Sequence, residues 1–211
     1  MEIRTINKTV DELIQGAVYL GNGASKEAYE KGDVVYKVPR GRYLVETVLD
    51  STQIHYPNSI EEVDNFLSEI DFMETRLVWP LGQFAIELLI WEALKEIEKD
   101  GYDISCFAAI KDYYLDKNGV LVIEQEVAET NWDVIDKQWD SFLSQVEELE
   151  DVLKAKGIEL RDIRQGNCGV TKDGRVVLFD FGISKTTSLD NYGSYSDYSD
   201  SYDTYDDGSS Y

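Results

Sequence analysis

The chain has 211 residues, enough for one compact domain or two small lobes, and its hydrophobic content of 43% is ordinary for a globular protein. Its formal net charge is −22, from 42 acidic against 20 basic residues. Such a field repels a phosphate backbone, so it argues against nucleic-acid binding except by mimicry, and it would steer a basic protein partner inward.

Two cysteines, Cys106 and Cys168, supply neither a disulfide framework nor a metal-ligand cluster. The first sixteen residues lack the apolar core of a secretion signal. The most apolar run, Phe84 to Leu94, is interrupted by Glu87 and Glu92, so no membrane span is expected. The expected setting is a reducing cytoplasm.

In chain order, residues 1–17 read as a short strand and a helical turn from Thr9 to Gln15, stopped by Gly16. Three short strands follow: Ala17–Leu20, Glu27–Glu30 and Val34–Val38. A Gly21-Asn22-Gly23 loop separates the first two, and Lys31-Gly32-Asp33 turns between the second and third. Without a Cβ, Gly21 and Gly23 allow backbone N–H groups to approach phosphate oxygens. Lys37 sits among Val35, Tyr36 and Val38, which gives it a reason to point into a cleft; the plainer alternative is an edge-strand lysine.

Residues 40–80 form an insertion with little pattern, apart from Ile60, Val63, Phe66, Leu67 and Ile70 at helical spacing behind a Ser59 N-cap. His55, beside Tyr56-Pro57, reads as a loop residue. Leu81 to Lys99 reads as one helix with Phe84, Leu88, Trp91, Leu94 and Ile97 in a stripe and Glu87 beside it, facing the sheet. Phe107 to Tyr114 and Val120 to Val127 read as strands joined by Asp116-Lys117-Asn118-Gly119, completing a five-stranded antiparallel sheet. Trp132 to Lys156 is a helix with one broad apolar face, ended by Gly157.

The stretch from Gly157 to Ser184 carries the chemistry. A polar loop leads into two short strands, Cys168–Thr171 and Arg175–Phe179, and the second breaks at Asp180-Phe181-Gly182. A hairpin brings its ends together, so Asn167 should lie near Asp180, with Asp162 further out on the same rim. Two hard oxygen ligands beside a carboxylate suit Mg²⁺ and a phosphate-bearing substrate.

This spacing resembles the catalytic loop and metal-binding segment of the protein kinases: Leu160-Arg161-Asp162, four residues, Asn167, then a hairpin to Asp180-Phe181-Gly182. Leu160 replaces the family's usual His. The resemblance implies that Asp162 accepts the proton of the attacking hydroxyl, that Asn167 and Asp180 hold metal, and that Arg164 contacts the transferred phosphoryl. It makes Gly21-Asn22-Gly23 the phosphate-covering loop, Lys37 the nucleotide lysine, and Glu87 its partner, with Glu92 as runner-up. Lys26 replaces the third glycine and either adds a phosphate contact or is solvated. Ala28 stands where the family usually has Val against the adenine, and Gln125 to Ala128 would be the hinge.

The implied fold is α+β and kinase-like: a lobe at 1–128 with a five-stranded antiparallel sheet and a helix, a minimal helical lobe at 129–185, and an acidic tail at 186–211. The tail is nearly free of aliphatic residues and repeats Tyr, Ser and Asp, so disorder is expected there. It reads equally as a set of autophosphorylation sites or lure for a basic partner, and as a solubilising end. Residues 185–211 are not expected to supply the peptide-binding helices of a full protein kinase. The implied activity is transfer of the γ-phosphoryl of ATP, with Mg²⁺, to a protein Ser or Thr. The alternatives are a catalytically silent kinase-like binding protein and a small-molecule kinase.

Overall fold

The computed structural model describes residues 3–23, 26–39, 72–160 and 162–181, with the side chains of 72–83 and of residue 85 outside that description. The helix expected behind Ser59, His55, Arg161, Gly182 and the tail at 186–211 lie outside it.

A five-stranded antiparallel sheet is built from β1 (Val18–Asn22), β2 (Lys26–Lys31), β3 (Val34–Pro39), β4 (Ile110–Leu115) and β5 (Leu121–Glu126). Their order is β1-β2-β3-β5-β4. Gly32 supplies the positive φ of 65° that the β2–β3 turn needs. That turn sets Lys31 opposite Val34, and the register then places Ala28 opposite Lys37 and Lys26 opposite Pro39.

Because strand side chains alternate, this register sorts the sheet into two faces. Val38 and Val122 pack with Val10, Leu13, Tyr114 and Val120 in a small cluster. Helix α1 (Val10–Ile14) closes it, with Thr9 and Glu12 forming a reciprocal capping box. The fully buried Asp116 carboxylate accepts from the backbone N–H groups of Val10, Asn118 and Val120 at 3.1, 2.8 and 2.9 Å, fastening the β4–β5 turn to α1. The opposite face carries Lys26, Ala28, Val35 and Lys37, and it continues through Ile123 and Leu121 into the main core.

Helix α2 (Phe72–Lys99) brings Phe84, Leu88, Trp91, Leu94 and Ile97 into that core, the stripe its spacing predicted. It begins nine residues before the expected start at Leu81. Pro80 reads as punctuation because it lacks an N–H. Losing one internal bond does not end a 28-residue helix whose later turns are fully buried. Residues 72–80 therefore belong to α2 and not to the insertion.

Helix α3 (Trp132–Ala155) is capped by Asn131, whose side chain accepts from the Val134 N–H, and buries Ile135, Phe142, Val146, Leu149 and Leu153. Those residues pack on a hairpin, β6 (Cys168–Val170) and β7 (Val176–Leu178). Backbone bonds stitch the hairpin to both crossings from the sheet. Leu178 exchanges bonds with Cys106 and Ala108 at 2.8 and 3.0 Å, and Val170 exchanges two with Glu129 at 2.9 and 2.8 Å. The result is an α+β architecture: a sheet with α2 on one side of a cleft, and α3 with the hairpin on the other.

Cys106 and Cys168 are each 1% exposed, and burial pushes both thiols up to about 12. A raised thiol pKa keeps the neutral, unreactive form dominant at pH 8. Iodoacetamide at pH 8 should therefore leave both cysteines unmodified in the folded protein and label both in denaturant, as read by intact mass. Labelling of either in the folded protein would contradict their placement.

Candidate active site

A cleft of about 540 Å³ opens between the sheet and the hairpin, within the size range of small-ligand sites. Its roof is Leu20, Gly21, Asn22 and Gly23, where the register slips between Tyr19 and Gly21. Gly21 takes a φ of 147°, open to glycine and strained for other residues. The Gly23 N–H donates to the Lys26 carbonyl at 2.8 Å and closes the turn into β2. Ala28 and Val35 form an apolar wall, and Gln125, Glu126, Ala128, Glu129 and Thr130 run along the side where the chain crosses between the lobes. Gln125 is 1% exposed, and its side-chain amide donates to the Ala108 carbonyl. This expected hinge is therefore fixed by a buried polar bond.

At the inner end, four charged side chains converge. Glu87 is fully buried, and each of its oxygens receives a lysine. Lys37 Nζ donates to Oε1 at 2.5 Å, and Lys26 Nζ donates to Oε2. Lys26 also donates to Asp180 Oδ1 at 2.6 Å, and Lys37 to the Phe179 carbonyl. Burial works to lower the Lys26 ammonium, but the Glu87 and Asp180 carboxylates outweigh it and hold it above its usual value. Burial, reinforced by the neighbouring Lys26 charge, holds Lys37 below its usual value despite Glu87. Glu87, not Glu92, is the carboxylate that meets Lys37; Glu92 accepts from the Tyr113 hydroxyl at 3.0 Å.

Asp180 reaches the cleft because its neighbour turns the other way. Phe181 is 1% exposed and packs edge-on against Phe107 at 5.4 Å. The Phe179 N–H donates to the Asn167 carbonyl at 3.0 Å, which brings the two ends of the hairpin together as its length predicted. Asn167 and Asp180 both line the cleft.

Asp162 and Arg164 do not line it, and they join it through Asn167. The Asn167 amide donates to both the carbonyl and Oδ2 of Asp162 at 2.8 Å. Arg164 Nε lies 3.0 Å from Asp162 Oδ1. Asp162 has a φ of 60°, the one positive value at a non-glycine position among the described residues. Such a conformation persists where its surroundings over-determine it, and here Asn167 does so from two sides.

Among the described residues, no three His, Cys, Asp or Glu side chains form a metal cluster by themselves. Asn167 and Asp180 still fit Mg²⁺. With its nitrogen committed to Asp162, Asn167 has an amide oxygen left to offer, beside one carboxylate. Mg²⁺ bound beside phosphates uses only one or two protein oxygens and fills its shell with water and phosphate.

Sequence reasoning left Lys26 open between phosphate contact and solvation. Solvation is overturned, since Lys26 is 7% exposed. Its parity with Ala28 and Lys37 along the hairpin was the available signal. The approach of Gly169 to Ala128 was also missed: a Cβ on Gly169 would come within 2.8 Å of the Ala128 Cβ and 3.1 Å of its carbonyl carbon.

No family model matches the sequence, and no curated protein matches it. Among solved structures, the chain is similar to a chain of the CAK complex from Chaetomium thermophilum bound to ATP-γ-S, at 13% identity and a TM-score of 0.43, covering 86% of this chain and 52% of that one. It is also similar to the bifunctional kinase-methyltransferase WbdD, at 15% identity and a TM-score of 0.37, covering 82% of this chain and 34% of that one. The chain thus spans about half the length of the first and a third of the second.

Three variants test this geometry. Glu87→Ala leaves two ammonium groups buried together and should destabilise the fold by about 3–5 kcal/mol in urea denaturation, whereas Glu92→Ala, losing one hydrogen bond, should cost about 1 kcal/mol. Equal losses would place the buried pair elsewhere. Gly169→Ala overpacks the hinge contact and should cost about 1–3 kcal/mol; a variant as stable as the wild type would contradict the close approach.

Proposed function

We propose that the protein is an ATP- and Mg²⁺-dependent phosphotransferase that passes the γ-phosphoryl group to a protein Ser or Thr hydroxyl. The observation that carries this reading is one cleft with two chemically opposed ends. Ala28 and Val35 offer an apolar wall to a planar base, and the backbone of 125–130 beside them can hydrogen-bond its edge. At the other end, Lys37, Lys26, Asn167 and Asp180 offer cations and hard oxygen ligands to phosphates and metal.

In this reading each residue has a role. Glu87 holds the Lys37 ammonium toward the cleft, where it can take phosphate oxygens. Gly21 and Gly23 cover that position with backbone that approaches closely. Asn167 and Asp180 would hold Mg²⁺, which supplies charge neutralisation across the phosphates. Asp162, with its carboxylate oriented by Asn167 and Arg164, accepts the proton as the substrate oxygen bonds to the γ-phosphorus. The bond from that phosphorus to the β–γ bridging oxygen breaks, and ADP leaves with the electron pair. Arg164 is 67% exposed at its side chain, which supports a contact with the incoming substrate or the transferred group. A substrate protein with basic surface suits the net charge of −22.

A second reading is favoured by one observation: Asp180 is already engaged by Lys26. A carboxylate held this way suits a kinase-like binding protein that takes nucleotide or a protein partner without transfer.

Asp162→Asn separates the two. Asn tolerates the φ of 60° at this position and keeps an oxygen acceptor for Asn167, so the loop should stay folded. With γ-labelled Mg-ATP and a soluble extract as substrate, wild type should label itself or other proteins. Asp162→Asn should lose about 10²–10⁴-fold in rate while binding ATP unchanged. Wild type that binds ATP but labels nothing would overturn the transferase reading in favour of the binding protein.

A further inference from the structure

Lys26 opens β2 on the cleft face, where it contacts Glu87 Oε2 and sits 2.6 Å from Asp180 Oδ1. With Lys37 on Glu87 Oε1, the inner end of the cleft holds two carboxylates and two ammonium groups, a set balanced in charge. The carboxylate expected to bind metal is therefore already faced by a cation. An ammonium and a divalent metal compete for that carboxylate, because their own repulsion at contact distance grows as the site dries. Metal entry is therefore favoured when Lys26 leaves Asp180. Glu87 remains as an anchor for the ammonium, and the flexible four-carbon stem gives it reach toward the roof of the cleft at Gly23.

We propose that Lys26 is an internal counter-ion that exchanges with the divalent metal at Asp180: it holds Asp180 when the metal is absent and passes to the nucleotide's phosphates when the metal arrives. This rests on the nucleotide reading above. Lys26 thereby does two things at once. It lowers the affinity of the unloaded site for a bare metal ion, and it supplies a second cation, besides Lys37, to the phosphates. A lysine that only filled space or braced α2 would do neither.

The test reads binding on the full chain. Mn²⁺ binding without nucleotide is followed by loss of the free-ion electron paramagnetic resonance signal, and ATP binding in saturating Mg²⁺ is followed by calorimetry. Lys26→Met should bind Mn²⁺ more tightly than wild type and Mg-ATP more weakly, each by about tenfold, within the roughly 5–150-fold usual for one coupled interaction. Lys26→Arg, which keeps the charge, should stay near wild type in both.

Opposite movement of the two affinities is the signature, since general damage to the fold would weaken both. Wild type alone supplies a second arm. Saturating Mg²⁺ without nucleotide should raise the rate at which an amine-reactive ester modifies Lys26, mapped by mass spectrometry. Equal Mn²⁺ affinities for wild type and Lys26→Met, or a Lys26 reactivity indifferent to Mg²⁺, would overturn the exchange while leaving nucleotide binding standing. Wild type that binds no ATP with or without metal would overturn the nucleotide reading, and with it the phosphate half of the exchange.

Discussion

One fully buried carboxylate organises the cleft side of this molecule. Glu87 sits on α2 with no exposed surface, in a position where an ionised group without partners would be untenable. It is held because β2 and β3 each deliver a lysine to it, one per oxygen. The same three side chains therefore join two adjacent strands to the helix and define the inner end of the cleft. Packing and function are not separable here, because the ion pairs that lock α2 to the sheet are those that aim the ammonium groups. Losing Glu87 would leave two buried like charges, which is more damaging than the net contribution of the pairs themselves.

The hairpin after α3 is the second constraint. Its strands are three residues each, too short to stand alone. Backbone bonds to Cys106, Ala108 and Glu129 place it against the two crossings between the lobes, so that Asn167 and Asp180 arrive at the cleft from a fixed base. Gly169 has to be glycine because the crossing at Ala128 comes too close for a Cβ. Upstream, Asp162 is kept in a left-handed conformation by Asn167, the residue that also lines the cleft. A rigid framework thus carries a locally strained loop, the arrangement expected where orientation of a single carboxylate matters.

Much of this was legible in the sequence, for identifiable reasons. The strands at Val34–Val38 and on either side of Asp116–Gly119 are β-rich runs bounded by turns that carry glycine, and they form where those signals put them, within a residue or a few. Helix α3 declares its C-terminal end through Gly157. The convergence of Asn167 on the end of β7 followed from hairpin length alone. The start of α2 did not, because Pro80 is a local signal and the burial that sustains the helix through it is not local. The environment of Lys26 did not either. Register gave its face of the sheet, but its partner Asp180 is 154 positions away, and only the docking of the hairpin brings them together. The proximity of Gly169 to Ala128 is likewise a product of tertiary placement.

The central claim is that a nucleotide's phosphates lie at the Glu87 end of the cleft, with its base at the Ala28 end. A crystal structure of the full chain with Mg²⁺ and a non-hydrolysable ATP analogue tests it most directly. The account predicts phosphate oxygens within hydrogen-bonding reach of Lys37 Nζ, metal on Asp180 and Asn167, and the adenine between Ala28 and the 125–128 backbone. An analogue bound outside this cleft, or seated in it with its phosphates away from Lys37, would contradict the account.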